Sequence, residues 1–163
     1  EPVCIMLTHC HFDHIYGNKF ILETYGLKTY ASPKDQFFID TFIDQLNIFQ
    51  MPADEQAPEI GTKIKEGDVI EIGSIKLQVI ETPGHSAGSV CFYAKEQNVC
   101  FTGDTIFKQS VGRTDFPTGS QREIMESITG KLLRLPDDTI LYPGHGESTD
   151  VAWEKLNNPY LEY

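Results

Sequence analysis

Four metal-capable side chains, His9, His11, Asp13 and His14, fall within six residues, directly after the apolar run Cys4-Ile5-Met6-Leu7. In extended chain His9 and His11 point to the same side, because side chains repeat every two residues. A turn into a helix then brings Asp13 and His14 round to a neighbouring position. Imidazoles so close in sequence cannot readily all face one centre, so this cluster suits two adjacent ions better than a single tetrahedron. The segment must therefore end a strand and begin a helix.

The remaining histidines and one further aspartate occupy equivalent places. His85 follows LQVIE in the turn TPGHSAG, Asp104 follows VCFT in TGDT, and His145 follows TILY in PGHG. Each lies just after an apolar strand and beside glycine, which permits a tight turn and a close approach to a ligand. Loops along one edge of a sheet are where such groups converge. A lone histidine is more often a hydrogen-bonded structural residue than a ligand, but here every histidine lies in the cluster or in a strand-end turn. Cys10 sits among these donors yet points to the opposite side, and is read as structural.

The elements between these points alternate. Residues Ile15 to Tyr25 read as a helix stopped by Gly26, followed by a short strand LKTYA. Ser32-Pro33-x-Asp35 opens a second helix with an N-cap, a proline at the first position and an acid in the first turn. Phe38, Ile39, Phe42, Ile43, Leu46 and Phe49 give it one broad apolar face, read as core packing. Met51 to Gly67 is a Pro- and acid-rich loop expected to border a site. VIEI, IKLQVIE, SVCFYA and VCFTG read as antiparallel strands joined by short turns. Ser120-x-x-Glu123 is a capping box opening a helix to about Arg134, and the strand TILY and a helix around Val151 to Asn157 complete the chain.

The length, 163 residues, and the absence of repeats or linkers predict a single domain over 1–163. CIML reads as a fully buried strand that would need partners from preceding sequence, so an N-terminal segment is expected before it. A net charge of −11 argues against a nucleic-acid partner. No apolar run reaches membrane-spanning length, and EPVCIML lacks the basic region of a signal peptide, so no membrane partner and a cytoplasmic location are expected. Cys4, Cys10, Cys91 and Cys100 form no CxxC pair, which fits a reducing compartment without disulfides.

The ordered set H-x-H-x-D-H, then H, D and H in turns reading PGH, TGD and PGHG, resembles the metallo-β-lactamase superfamily along essentially the whole chain. GDTIFKQSVGRTDFPTGS and LYPGHGEST…NPYL are similar to its single-domain glyoxalase II-like hydrolases, relatives of the hydroxyacylglutathione hydrolase catalytic domain. The resemblance implies an α/β fold of α+β type, a four-layer αββα sandwich here lacking its N-terminal strands. It implies that His9, His11 and His85 hold one metal, that Asp13, His14 and His145 hold a second, and that Asp104 bridges them. Asp13 and Asp104 would also orient the nucleophile's proton.

Two divalent ions are therefore expected, zinc first, with iron or manganese also suited to nitrogen and carboxylate donors. The implied reaction is hydrolysis of a small-molecule thioester of the hydroxyacylglutathione type, by a hydroxide shared between the ions. A mononuclear-iron persulfide dioxygenase is the alternative; lactone or other ester hydrolysis and a non-catalytic metal-binding fragment are further ones. The glutathione-gripping helical domain of glyoxalase II has no counterpart in this sequence. Arg113 and Lys108 are substrate candidates, Arg113 together with Asp115 in VGRTDF, and the first reading of Arg113 is that it and a nearby acid pin the loop. Tyr16 and Phe116 are placed at the rim, and assembly into a homo-oligomer is left open.

Overall fold

The computed structural model describes residues 1–161. The chain runs through β1 (Ile5–Met6), α1 (Phe12–Ile15), α2 (Asn18–Tyr25), β2 (Thr29–Ala31), α3 (Gln36–Asp40), α4 (Phe42–Ile48) and β3 (Thr62–Lys63). It continues through β4 (Val69–Ile72), β5 (Ile75–Glu81), β6 (Val90–Ala94), β7 (Val99–Gly103), β8 (Ile106–Phe107) and β9 (Ser110–Val111). Helix α5 (Gln121–Gly130), β10 (Ile140–Pro143), β11 (Thr149–Asp150) and α6 (Val151–Asn157) complete it. One sheet has the order β1-β2-β3 and another β11-β10-β7-β6-β5-β4, while β8 and β9 pair as a small hairpin.

Alternation along the central strands decides the layering. Leu77 and Val79 of β5, with Val90, Phe92 and Ala94 of β6, project to one side and pack with Met6 and Tyr30 of the three-stranded sheet. Ile80, Cys91 and Tyr93 project to the other side, against Ile124 and Ile128 of α5, Leu132 and Val151. The far face of the small sheet, with Ile5, Leu7 and Ala31, packs on Ile15, Phe38, Phe42 and Leu46. The order helix, sheet, sheet, helix is the four-layer αββα sandwich expected from the sequence. Phe42 and Leu46 anchor one outer layer at 1% and 0% exposure, and truncating either to Ala should cost ~2–5 kcal/mol.

Several local expectations change. The strand in CIML is two residues long and half-buried, and among the described residues β1 pairs with β2. The helix expected over Ile15 to Tyr25 is broken, since Gly17 takes a left-handed φ of 85° between α1 and α2; Gly26 ends α2 as anticipated. Ser32 caps a short 3-10 turn by accepting from Lys34 N, and the helix beyond is split at Thr41. On its apolar face Ile43 and Phe49 are exposed, so the face is not wholly core. Ser120 Oγ accepts from Glu123 N, but Ser120 N donates to Gly84 O, so only half of the capping box forms; α5 ends at Gly130 and a 3-10 turn carries the chain to Arg134.

All four cysteines are free, and Cys10 is fully buried with its thiol pushed up by burial. Among the described residues no helix is long and apolar enough to cross a membrane.

Candidate metal centre

Strand direction brings the donors to one edge. β5 is antiparallel to β6, β6 is antiparallel to β7, and β7 is parallel to β10. The chain therefore leaves β5, β7 and β10 at the same edge, and there it makes the turns carrying His85, Asp104 and His145. The cluster after β1 is tied to this edge by Val90 N donating to Thr8 O at 2.8 Å, and Gly144 N donates to Gly103 O at 2.9 Å to lock two of the turns together.

Two groups of three donors result. In the first, His9, His11 and His85 are all buried, and His11 Nδ1 faces His85 Nε2 at 2.9 Å. In the second, His145 Nε2 lies 3.2 Å from both His14 Nε2 and Asp13 Oδ2. Asp104 stands between them, Oδ2 being 3.6 Å from His85 Nε2 and 3.5 Å from His145 Nε2, and Oδ1 3.4 Å from His14 Nε2. With His9 and His14 it forms a further donor group whose ligand atoms all lie within 4.8 Å of one another.

The donor chemistry fits metal ions. His9 Nε2 and Asp104 Oδ1 are buried with no hydrogen-bond partner among the described residues, an arrangement that costs free energy unless something fills the space between them. Burial, then the neighbouring imidazoles, holds His9 well below the usual histidine range. Burial likewise lowers His11 to about 3 and lowers His85. Burial alone would raise Asp104, but its contact with His14 outweighs that and keeps the carboxyl below its ordinary value. Neutral imidazoles at His9, His11 and His85 and an ionised Asp104 are the protonation states that metal ligation requires.

Further contacts aim these groups. His85 Nδ1 donates to Arg113 O at 2.8 Å, which leaves Nε2 as the lone pair turned inward. Thr8 Oγ1 pairs with His9 Nδ1 at 3.2 Å. Asp35 is completely buried and accepts from Cys10 N at 2.9 Å, Ser86 Oγ at 2.9 Å and Gly88 N at 2.7 Å. One carboxylate thus spans the loop that presents His9 and His11 and the loop that presents His85. Glycine at 144 is required sterically: a Cβ there would collide with Asp104 Oδ1 and lie 2.8 Å from His14 Cε1.

A cavity of about 780 Å³ opens over the centre, with His11, Asp13, His85, Asp104 and His145 in its floor. Arg113 lines it, but its guanidinium makes a two-pronged contact with Asp115 at 2.7 and 2.6 Å, as the loop-pinning reading has it. Lys108 pairs with Glu147 at 2.7 Å and does not line the cavity, nor does Tyr16; Phe116 does. The loop from Met51 to Gly67, expected to border the site, contributes nothing to the lining; Ile48 and Phe49 just before it do. Asp35 and these wall residues were not singled out as site residues from sequence. The one signal for Asp35 was its place in Ser-Pro-x-Asp, which read as a first-turn helix acid.

Comparison with known proteins agrees with this geometry. Residues 1–145 match the Metallo-beta-lactamase superfamily. "Hydroxyacylglutathione hydrolase GloC" of Haemophilus influenzae is 35% identical over 96% of this chain and 74% of its own length. The structure of TTHA1623 in a di-iron-bound form superposes with a TM-score of 0.90 at 32% identity, covering 99% of this chain and 78% of that one. The structure of ETHE1 from Myxococcus xanthus gives a TM-score of 0.76 at 28% identity, covering 96% and 61%. With its layered sheets, its strand-end donors and this match over most of its length, the chain belongs to the metallo-β-lactamase superfamily.

Proposed function

We propose that this chain is a dinuclear metal-dependent hydrolase of thioesters, with hydroxyacylglutathiones as the first substrates to assay. The observation that carries the reading is the pair of donor groups with Asp104 between them, 3.6 Å from His85 and 3.5 Å from His145, at the base of one cavity lined by His11, Asp13, His85, Asp104 and His145. His9, His11 and His85 would hold one divalent ion and Asp13, His14 and His145 the other, with Asp104 common to both. Bound there, two such ions supply Lewis acidity toward a carbonyl and make water a usable nucleophile near neutral pH.

The chain's own residues account for the rest. Hydrolysis breaks the acyl C–S bond, forms a C–O bond to the water oxygen, and yields a carboxylate, a thiol and a proton. Asp13, 40% exposed and lining the cavity, would take up the water proton and pass it to the departing sulfur. The Arg113 carbonyl holds His85 in one tautomer, and the aromatic rings of Phe38 and Phe116 pack at 4.3 and 5.0 Å from the His11 ring, excluding water from that side.

The likeness to GloC, a named hydroxyacylglutathione hydrolase, supports the thioester reading. The likeness to ETHE1 supports the alternative, a mononuclear-iron persulfide dioxygenase. The second donor group favours hydrolysis, since a facial two-histidine, one-carboxylate iron site needs only three ligands. Zinc, iron and manganese all suit these donors, and the di-iron form of TTHA1623 makes iron a serious candidate beside zinc. The test is to load the protein separately with each metal, then measure S-lactoylglutathione hydrolysis and persulfide-dependent oxygen uptake. Two equivalents of metal with hydrolysis support the proposal; one iron with oxygen uptake replaces it.

A further inference from the structure

The cavity above the donors is walled on one side largely by apolar side chains. Phe37 and Phe38 of α3, Ile48 at the end of α4 and Phe49 just beyond it form one wall, continued by Phe12, which stacks on Phe49 with ring centroids 4.5 Å apart. Phe37, Ile48 and Phe49 are 44, 73 and 46% exposed, a cost that a core residue would not carry and that a ligand could relieve. The amide on that side is already occupied: Gln45 accepts from Phe12 N and donates to Phe38 O.

Charge points the same way. Among the described residues Arg113 is the one Lys or Arg in the lining, and it is held by Asp115 and laid over the Phe116 ring at 4.1 Å. Asp44 adds a carboxylate to the wall. Against this wall a carboxylate would meet no unpaired Lys or Arg among the described residues and would face Asp44, whereas an uncharged apolar group would bury aromatic surface without that repulsion.

We infer that the enzyme selects thioesters whose acyl group is an uncharged alkyl or aryl chain, seated against Phe37, Ile48 and Phe49. The assignment rests on the hydrolase reading for the reaction and on the cavity alone for the chain. It places long-chain and arylacyl thioesters ahead of the small hydroxylated lactoyl group.

The experiment separates the two. The metal-loaded protein is assayed with N-acetylcysteamine thioesters of straight-chain acids from acetyl to octanoyl. In parallel, the corresponding ketones, in which CH2 replaces the ester sulfur and hydrolysis cannot occur, are titrated calorimetrically. The expected result is a rise in both kcat/KM and ketone affinity of roughly three- to fourfold per methylene until the wall is covered. Ile48→Asn and Phe37→Ser, both at exposed positions that polar side chains should tolerate, should cut the octanoyl-to-acetyl ratio at least about tenfold, with circular dichroism reporting the fold.

Length-dependent ketone affinity without turnover would uphold the acyl pocket and sink the hydrolase. Turnover or binding that ignores acyl length, or that follows the apolarity of the thiol alone, would overturn the pocket assignment and leave the hydrolase standing.

Discussion

His9, His11 and His85 are 2, 6 and 3% exposed, whereas the side chains of His145 and Asp13 show 57 and 40% of their surface. The contrast extends to what holds them. The buried group is braced by Asp35 across two loops and by the Arg113 carbonyl on His85. No side-chain hydrogen bond from outside the centre braces Asp13 or the His145 ring among the described residues, although Gly144 N anchors the turn before His145. A pre-aimed donor set loses little freedom when it binds, and an open one loses more. The buried position should therefore bind its ion tightly and the exposed one weakly, with substrate and water entering on the exposed side.

The most severe way to test that division is to remove the residue that belongs to both halves. Asp104→Ala should lower kcat/KM by about 10³-fold or more and deplete both metals, measured by steady-state kinetics and metal analysis after dialysis. Full activity at full metal content would remove Asp104 from the centre. Next come single removals on each side. His9→Ala should retain less than about half an equivalent of metal, while His145→Ala should keep about one, because only the braced group survives in the second variant. Equal metal loss in the two variants would erase the distinction between the halves.

The brace is open to a gentler change. Asp35→Asn keeps the shape but sets an amide N–H₂ against one of the three donors that the carboxylate now satisfies. Metal binding at the buried position should weaken by about 10- to 100-fold in competition with a chelator, the usual effect of disturbing groups that orient ligands. The electronic spectrum of the cobalt-loaded protein should shift in parallel, which a loss of stability alone would not produce. An unchanged affinity and spectrum would reduce Asp35 to packing.

How much of this was readable beforehand differs between the donors and their supports. The donors are rare residue types at local spacings: the period of two at His9 and His11, and a glycine-flanked turn after each of three apolar strands, can be read without knowing the fold. The two-sided packing of β5 and β6 was less legible, because Leu77, Val79 and Ile80 are all apolar and which face each meets depends on a second sheet. Asp35 was illegible as a support, since its partners lie 25, 51 and 53 positions away. Phe49 was misjudged for a related reason: helical periodicity marks an apolar face but cannot tell core from the wall of a cavity. The break at Gly17 follows from a left-handed φ of 85° that glycine adopts freely, which an apolar period does not reveal.

The smallest effect is expected where sequence suggested the most obvious substrate contact. Arg113 and Asp115 are 59 and 65% exposed, and a solvent-screened pair of this kind contributes little to a fold. What matters at position 113 is the backbone carbonyl that holds His85, and Arg113→Ala retains it. The variant should therefore keep its metal and change KM for an uncharged thioester by no more than about threefold. Comparing that substrate with one bearing a carboxylate sharpens the result. If KM rose tenfold for the carboxylate substrate alone, the guanidinium would have to leave Asp115 to meet it, and the cavity beside the buried half of the centre would own a charged contact that its resting geometry hides.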